Sequence, residues 1–220
     1  MNLRLLIGGS PSKLFHLNEF SEELVKLGIE TKLVLDTDYC NGFPSRKIFN
    51  WFLGNAKFED LVKSFKPDAI LVDRQRHFGL AASKTKIPLL VHLRGDYWKE
   101  IKMAKETLYK LPPKRLALWG WERIADKCFE HADLILPICK HLENRAKEYY
   151  PKADMDTMYQ GINPNNWYPA KGMELNHPCV GLLQSAVIWE KAREILTLEP
   201  VLRSEEHTSE LQSRETISYA

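Results

Sequence analysis

From Leu3 to Tyr159, short apolar runs alternate with amphipathic stretches, and this alternation constrains the fold more than any other feature. Leu3–Ile7 (LRLLI) is an apolar run that ends in Gly8-Gly9-Ser10-Pro11. Ser10 suits a helix N-cap, and Pro11 suits the first helical position, where its missing N–H costs nothing. Leu14, Leu17, Phe20, Leu24 and Leu27 then recur at helical spacing until Gly28 stops the pattern. Thr31–Leu35 reads as the next strand, which completes a strand–helix–strand unit.

The same grammar repeats. Phe58, Leu61, Val62 and Phe65 mark a helix, and Ala69–Val72 a strand. Residues 76–86 read as helix and Leu89–Leu93 as strand. Helices are expected over Lys99–Leu111 and Lys114–His131, separated by Pro112-Pro113. Asp133–Pro137 reads as strand, Lys140–Tyr149 as helix and Met155–Tyr159 as strand. The strands are nearly continuous in apolar residues, as a parallel sheet covered on both faces requires. The expected fold class is α/β, a doubly wound parallel sheet with ligands at the carboxyl ends of its strands.

Composition excludes several classes. Hydrophobic residues make up 44% and charged residues 27% of the 220, the balance of a soluble globular protein and not of a disordered chain or a coiled coil. Runs such as Ile87–Leu93 and Leu134–Cys139 are too short to span a bilayer. Met1–Gly9 lacks the long apolar stretch of a signal peptide. Cys40, Cys128, Cys139 and Cys179 lie far apart with no C-x-x-C pair, so neither a zinc site nor a disulfide framework is expected. A cytoplasmic location follows, with no metal and no cofactor.

The pattern changes after Tyr159. Gln160–Pro169 (QGINPNNWYP) is a Pro/Asn-rich loop and Ala170–Pro178 a linker, while Cys179–Leu183 and Trp189–Leu198 begin a second strand–helix series. The expected organisation is a first domain over 1–169, a linker over 170–178, the start of a second domain over 179–202, and a tail over 203–220. Arg203–Ser213 (RSEEHTSELQS) resembles the in-frame translation of a short-read sequencing adapter, and Ile217–Ala220 its continuation. On that reading the tail is an artefact and the gene is cut near Leu202. Setting aside the tail's two Arg and four Glu moves the net charge from +2 to +4. That is too small to argue for nucleic acid, and none is expected as a partner.

Several motifs carry possible chemistry. Gly8-Gly9-Ser10 is placed where an α/β domain offers backbone amides to an anion or a sugar hydroxyl; the competing reading is a plain tight turn. It lacks the G-x-G-x-x-G pattern of a dinucleotide site. His92-Leu93-Arg94-Gly95-Asp96 ends the fourth strand. There Arg94 suits a phosphate or carboxylate and His92 suits proton transfer or a sugar hydroxyl. The competing reading is an Arg94–Asp96 surface pair and a core histidine. Asp73-Arg74-Gln75-Arg76-His77, after the third strand, reads first as a charged loop. Residues 97–123 combine Tyr97, Trp98, Trp119 and Trp121 with Lys99, Lys102, Lys105, Lys110, Lys114, Arg115 and Arg123, which suits a peripheral membrane surface. Against it, Leu118, Trp121, Ala125, Cys128 and Phe129 form a stripe typical of a core-facing helix.

Three stretches resemble a GT-B retaining glycosyltransferase of family 4. They are the opening strand and Gly8-Gly9 loop with LGIETKLV, the segment HADLILPICKHLENRAKEYYP, and MYQGINPNNWYPA, which resembles that family's N-G-I-D and F-x-P interdomain segment. Gln160 and Asn163 replace the usual Asn and Asp, while Gly161 and Ile162 match. VGLLQSAVIWEKA resembles the start of the donor-binding domain: Lys191 matches a diphosphate-binding lysine, the partner arginine is absent near Leu182, and Ala192 replaces a glycine. The resemblance implies a Rossmann-like first domain and transfer of a sugar from a nucleotide-sugar donor to a glycan, lipid or small acceptor. It implies catalytic roles for His92 and Arg94, acceptor contacts from Gly8, Gly9, Ser10 and Asp96, and donor contacts from Gly161 and Lys191. The family's histidine after the fourth strand has no direct match; Arg94 falls nearer its place than His92. The glutamates of the donor site would follow Leu202, so this chain is expected to be inactive. A GT-B nucleotide-sugar epimerase and a non-enzymatic α/β ligand-binding or membrane-docking module are the alternatives.

Overall fold

The computed structural model describes residues 3–45, 47–52 and 54–166, with the single positions Gly172 and Leu196. By its internal contacts the chain divides into Met1–Tyr168 and Pro169–Ala220, and the sheet with its helices lies in the first unit. Lys191, most of the expected linker, the start of the second domain and the tail lie outside the described residues.

Five strands form one parallel sheet: β1 (Arg4–Gly9), β2 (Glu30–Leu35), β3 (Ala69–Val72), β4 (Leu89–Leu93) and β5 (Leu134–Pro137). Their spatial order is β2-β1-β3-β4-β5, the arrangement of a doubly wound α/β fold. Among the described residues seven α-helices accompany them: α1 (Leu14–Lys26), the single turn α2 (Asp36–Tyr39), α3 (Ala56–Phe65), α4 (His77–Ala82), α5 (Tyr97–Glu106), α6 (Pro112–Glu130) and α7 (Lys140–Tyr149).

The alternation of side chains along each strand sorts the core into two layers. Leu5, Ile7 and Leu71 pack with Leu17, Phe20 and Leu24 of α1, and Leu33 and Leu90 join them. The intervening residues Leu6, Ile70, Val72, Leu89, Val91 and Ile135 pack on the opposite face with Phe58 and Phe65 of α3, Phe78 of α4, Phe129 of α6 and Leu142 of α7. Both faces are covered, which is why the strands carry so few polar residues.

Four local features differ from expectation. Gly8 and Gly9 are the last residues of β1 and not part of a turn: they pair with Val34 and Leu35 of β2, and both are buried. Neither has positive φ. A Cβ on Gly8 would stand 2.5 Å from Cδ1 of Phe78, and one on Gly9 2.4 Å from Cδ1 of Leu17, so the glycines let the two helical layers close on the strand. Pro112 and Pro113 open α6 rather than standing between helices, because fixed φ and a missing donor are harmless in a first turn. The helix before them ends early, at Glu106. Met155–Tyr159 is not a strand; it makes one bridge, Ile135 with Met155, and runs beside β5 through Met158 N–H to Pro137 O at 2.9 Å.

Candidate functional site

The sheet order sets the site. From β1 the chain moves outward to β2 on one side, while β3, β4 and β5 extend on the other, so the topological switch point lies at the carboxyl ends of β1 and β3, where open α/β sheets bind ligands. Four neighbouring strands end there in a polar side chain. In spatial order these are Asp36 after β2, Ser10 after β1, Asp73 after β3 and Arg94 after β4, with His92 inside the last turn of β4. Ser10, Asp36, Asp73 and His92 are all buried.

Asp73 is the hub. Its backbone N–H donates to Gly8 O at 3.0 Å, which fixes it across the β1–β3 boundary. Arg94 Nε lies 2.7 Å from its Oδ1, and Ser10 Oγ donates to its Oδ2 at 3.5 Å. His92 Nδ1 lies 3.8 Å from the same Oδ1. Burial alone would push the Asp73 carboxyl upward. The His92 ring and the charges of Arg94 and Arg74 outweigh that, and the net shift is downward, so Asp73 is held as a carboxylate.

The Arg94 Nε–H itself donates to His92 Nδ1 at 3.3 Å, so its contact with Asp73 Oδ1 is an ion pair and not a hydrogen bond. Since guanidinium nitrogens only donate, Nδ1 accepts in that contact, which leaves Nε2 as the N–H of the ring. That Nε2 is buried and has no hydrogen-bond partner among the described residues. Asp36 Oδ1 is likewise buried and unpartnered. Burial raises the Asp36 carboxyl above its ordinary range, only partly offset by the Thr37 amide and the charges of Arg76 and Arg74, while the charge of Asp73 adds to the rise.

The sequence candidates thus separate. Ser10, His92 and Arg94 come together around Asp73. Ser10 stands at the N-cap position of the 3-10 turn Pro11–Lys13, yet its hydroxyl serves Asp73 and not the turn. Asp96 is engaged elsewhere: it caps α5 by accepting from Lys99 N–H at 3.0 Å, and its Oδ2 lies 3.7 Å from Arg145 Nε. Arg94 is paired with Asp73 and not with Asp96. Gly161 is exposed, with open space around its Cα.

In the loop after β3, Arg76 lies 5.3 Å over the Trp121 ring, and the His77 ring meets Trp121 edge-on at 5.0 Å. Asp73 belongs to the site and not merely to a charged loop, and Asp36 had no place among the expected residues. The signal for both is the same: each is the first charged residue after an apolar strand end, Leu71-Val72 or Val34-Leu35. Asp36 and Asp38 are spaced as some metal-binding pairs are, but Asp38 is exposed. Among the described residues, no three His, Cys, Asp or Glu side chains converge as a metal-ligand set. Two shallow depressions of about 220 Å³ each lie away from this edge, one beside Leu89 and Asp133, the other between Trp98, Lys105 and Tyr149.

No family model matches the chain, and no curated protein matches it. Among solved structures, one similar fold is that of Glycyrrhiza uralensis UGT73P12 complexed with glycyrrhetinic acid 3-O-monoglucuronide, at 14% identity and a TM-score of 0.42, covering 71% of this chain. This chain spans 48% of that one, about half its length. Another is Clostridium thermocellum ribose-5-phosphate isomerase B, at 15% identity and a TM-score of 0.24, covering 67% of this chain and 95% of that one.

Proposed function

We propose that the described unit is the acceptor-side half of a retaining glycosyltransferase, which moves a sugar from a nucleotide-sugar donor to a hydroxyl of a glycan, lipid or small acceptor. One observation carries this reading: His92 Nε2, an oriented N–H donor at the switch-point edge, is buried with no partner among the described residues. Leaving a buried polar group unpaired costs about 1–3 kcal/mol, so such a group is expected where a ligand supplies the partner. A hydroxyl both accepts and donates, and suits a site where an imidazole N–H stands near the Asp73 carboxylate.

The roles follow from the contacts. His92 touches the acceptor oxygen as a donor. Arg94 and Asp73 are positioning residues, because they fix the tautomer and tilt of the ring. Gly8 and Gly9 let Phe78 and Leu17 close on the end of β1, and Ser10 ties β1 to Asp73. A leaving diphosphate needs cations and backbone amides. In this reading those belong to the donor half, with Gly161 and Lys191 as its nearest contributions.

Saturation-transfer NMR of the 220-residue chain with a panel of glycosides tests the reading. The expected result is carbohydrate contact that is lost in His92→Ala, with no sugar transfer by this chain alone. Absence of carbohydrate contact in a folded chain overturns it. Interconversion of a nucleotide sugar without an acceptor would favour an epimerase instead.

A further inference from the structure

Two segments far apart in sequence share an unusual composition that the polar edge does not use. Between Asp38 and Glu59 every charged residue is basic (Arg46, Lys47 and Lys57), and between Glu106 and Glu122 every charged residue is again basic (Lys110, Lys114 and Arg115). Both segments also leave large apolar side chains in water. Phe49 and Phe52 are 76% and 83% exposed, and Trp119 is 53% exposed; Ile48, Leu108, Leu111 and Leu116 are exposed as well.

The fold brings these segments side by side. A Cβ on Gly120 of α6 would stand 2.7 Å from Cε1 of Phe43 and 2.9 Å from Cδ of Pro44, so the loop leading to the 3-10 turn Ile48–Phe52 lies against that flank of the helix. The Phe43 ring meets Trp51 of the turn edge-on at 4.8 Å. The Phe43 carbonyl accepts from His77 Nε2 at 3.1 Å, and the His77 ring rests on Trp121 of α6, which fastens the loop a second time. On the other flank of α6, Glu122 pairs with Lys105 of α5 at 2.6 Å. Helical geometry places Leu116, Trp119 and Arg123 between these flanks, with the Arg123 guanidinium 5.6 Å over the Trp119 ring.

Singly exposed apolar residues are ordinary, but a contiguous apolar group set in unpaired positive charge marks a contact surface. Lys47, Lys110, Lys114 and Arg115 form no ion pair among the described residues. A second copy of this chain would bring the same positive charge to the contact, so electrostatics oppose self-pairing. An anionic bilayer matches both features, with rings and aliphatic side chains at headgroup depth and cations against lipid phosphates. No described helix is long and apolar enough to cross a membrane, so the contact is peripheral.

We propose that Ile48–Phe52 and the Leu108–Trp119 stretch of the chain together dock this protein on an anionic lipid surface. The docking is independent of whether the polar edge binds a sugar.

Vesicle co-sedimentation of the 220-residue chain tests it, with phosphatidylcholine alone against phosphatidylcholine containing phosphatidylglycerol. Binding is expected on the anionic vesicles and should fall as salt is raised. At about 1 kcal/mol per basic residue near such a surface, Lys114→Ala with Arg115→Ala lowers partitioning on the order of 30-fold. Phe49→Ser with Trp119→Ser lowers it without changing charge. All four positions are exposed, and thermal melting confirms that the variants fold. Equal binding to both vesicle types, or binding untouched by either double variant, overturns the proposal. So does a dimer in sedimentation velocity that dissociates in Phe49→Ser with Trp119→Ser, since the face would then join two copies. Carbohydrate contact at His92 should persist in both double variants, which separates this test from that of the polar edge.

Discussion

Arg94 Nε stands 2.7 Å from Oδ1 of Asp73, a carboxylate whose side chain has no exposed surface. Removing one member of such a pair strands the other. Arg94→Leu should therefore cost about 3 kcal/mol, because it leaves an uncompensated buried charge. Asp73→Asn combined with Arg94→Leu removes both charges and should recover most of that loss. Urea denaturation of the three chains checks the order; equal stability of the single and double variants would refute it.

Glu143 predicts an acid limb in stability. Lys140 and Lys147 each donate to it at 2.6 Å, Thr157 donates as well, and together they pull its carboxyl down from 4.5 to about 2. A folded-state value below the unfolded one contributes stability that is fully present above the ordinary carboxyl range. It is lost as pH falls toward the depressed value. Melting temperature should thus decline between about pH 5 and about pH 2, and less steeply in Glu143→Gln. Asp73, also shifted downward, adds to the slope with the same sign.

The two strand glycines differ in what they face. A methyl on Gly8 would meet the ring of Phe78, a fully buried side chain that cannot swing away. A methyl on Gly9 would clash with the terminal carbon of Leu17 alone, touching Leu14 and Leu33 at the ordinary distance of 3.6 Å. Gly8→Ala should cost about 3 kcal/mol and Gly9→Ala about 1 kcal/mol, read as shifts in denaturation midpoint. The reverse order would mean that α1, not α4, is the rigid layer.

Gly28 follows the last turn of α1 at φ +84, and a Cβ there would meet nothing within 4 Å. Any cost of Gly28→Ala is therefore backbone strain alone, about 1 kcal/mol. Asn there should cost less. Lys66 caps α3 at φ 50, and Lys66→Gly should relieve a similar strain, giving a higher melting temperature. An unchanged melting temperature on either substitution would mean that the left-handed caps carry no strain.

Much of the fold was legible because strand and helix periods differ, and Gly28 and Lys140–Tyr149 stand where the pattern places them. The Met155 segment misled because it follows α7 where the strand–helix series calls for another strand, whereas its ladder to β5 holds only at Ile135 and Pro137. Pro112-Pro113 misled because the same residues that break a helix also begin one. At the polar edge, His92 and Arg94 were visible from their place at a strand end. Asp73 also stood at a strand end but read as part of a charged loop, and Asp36 drew no notice, since their weight comes from partners 19 or more positions away that only the sheet order brings near, as with Asp73 and His92.

The segment beside β5 has a consequence for how this protein meets other chains. Ile135 and Pro137 would otherwise offer free backbone groups along an open margin of the sheet, and such a margin templates further strands. Asp154 O, Asp156 N–H and Met158 N–H occupy those groups, and Thr157 latches the segment to Glu143. At the opposite margin, β2 sets Glu30 and Lys32 in solvent, charges that discourage a docking strand. Fibre growth by strand addition is therefore guarded against at both ends of the sheet.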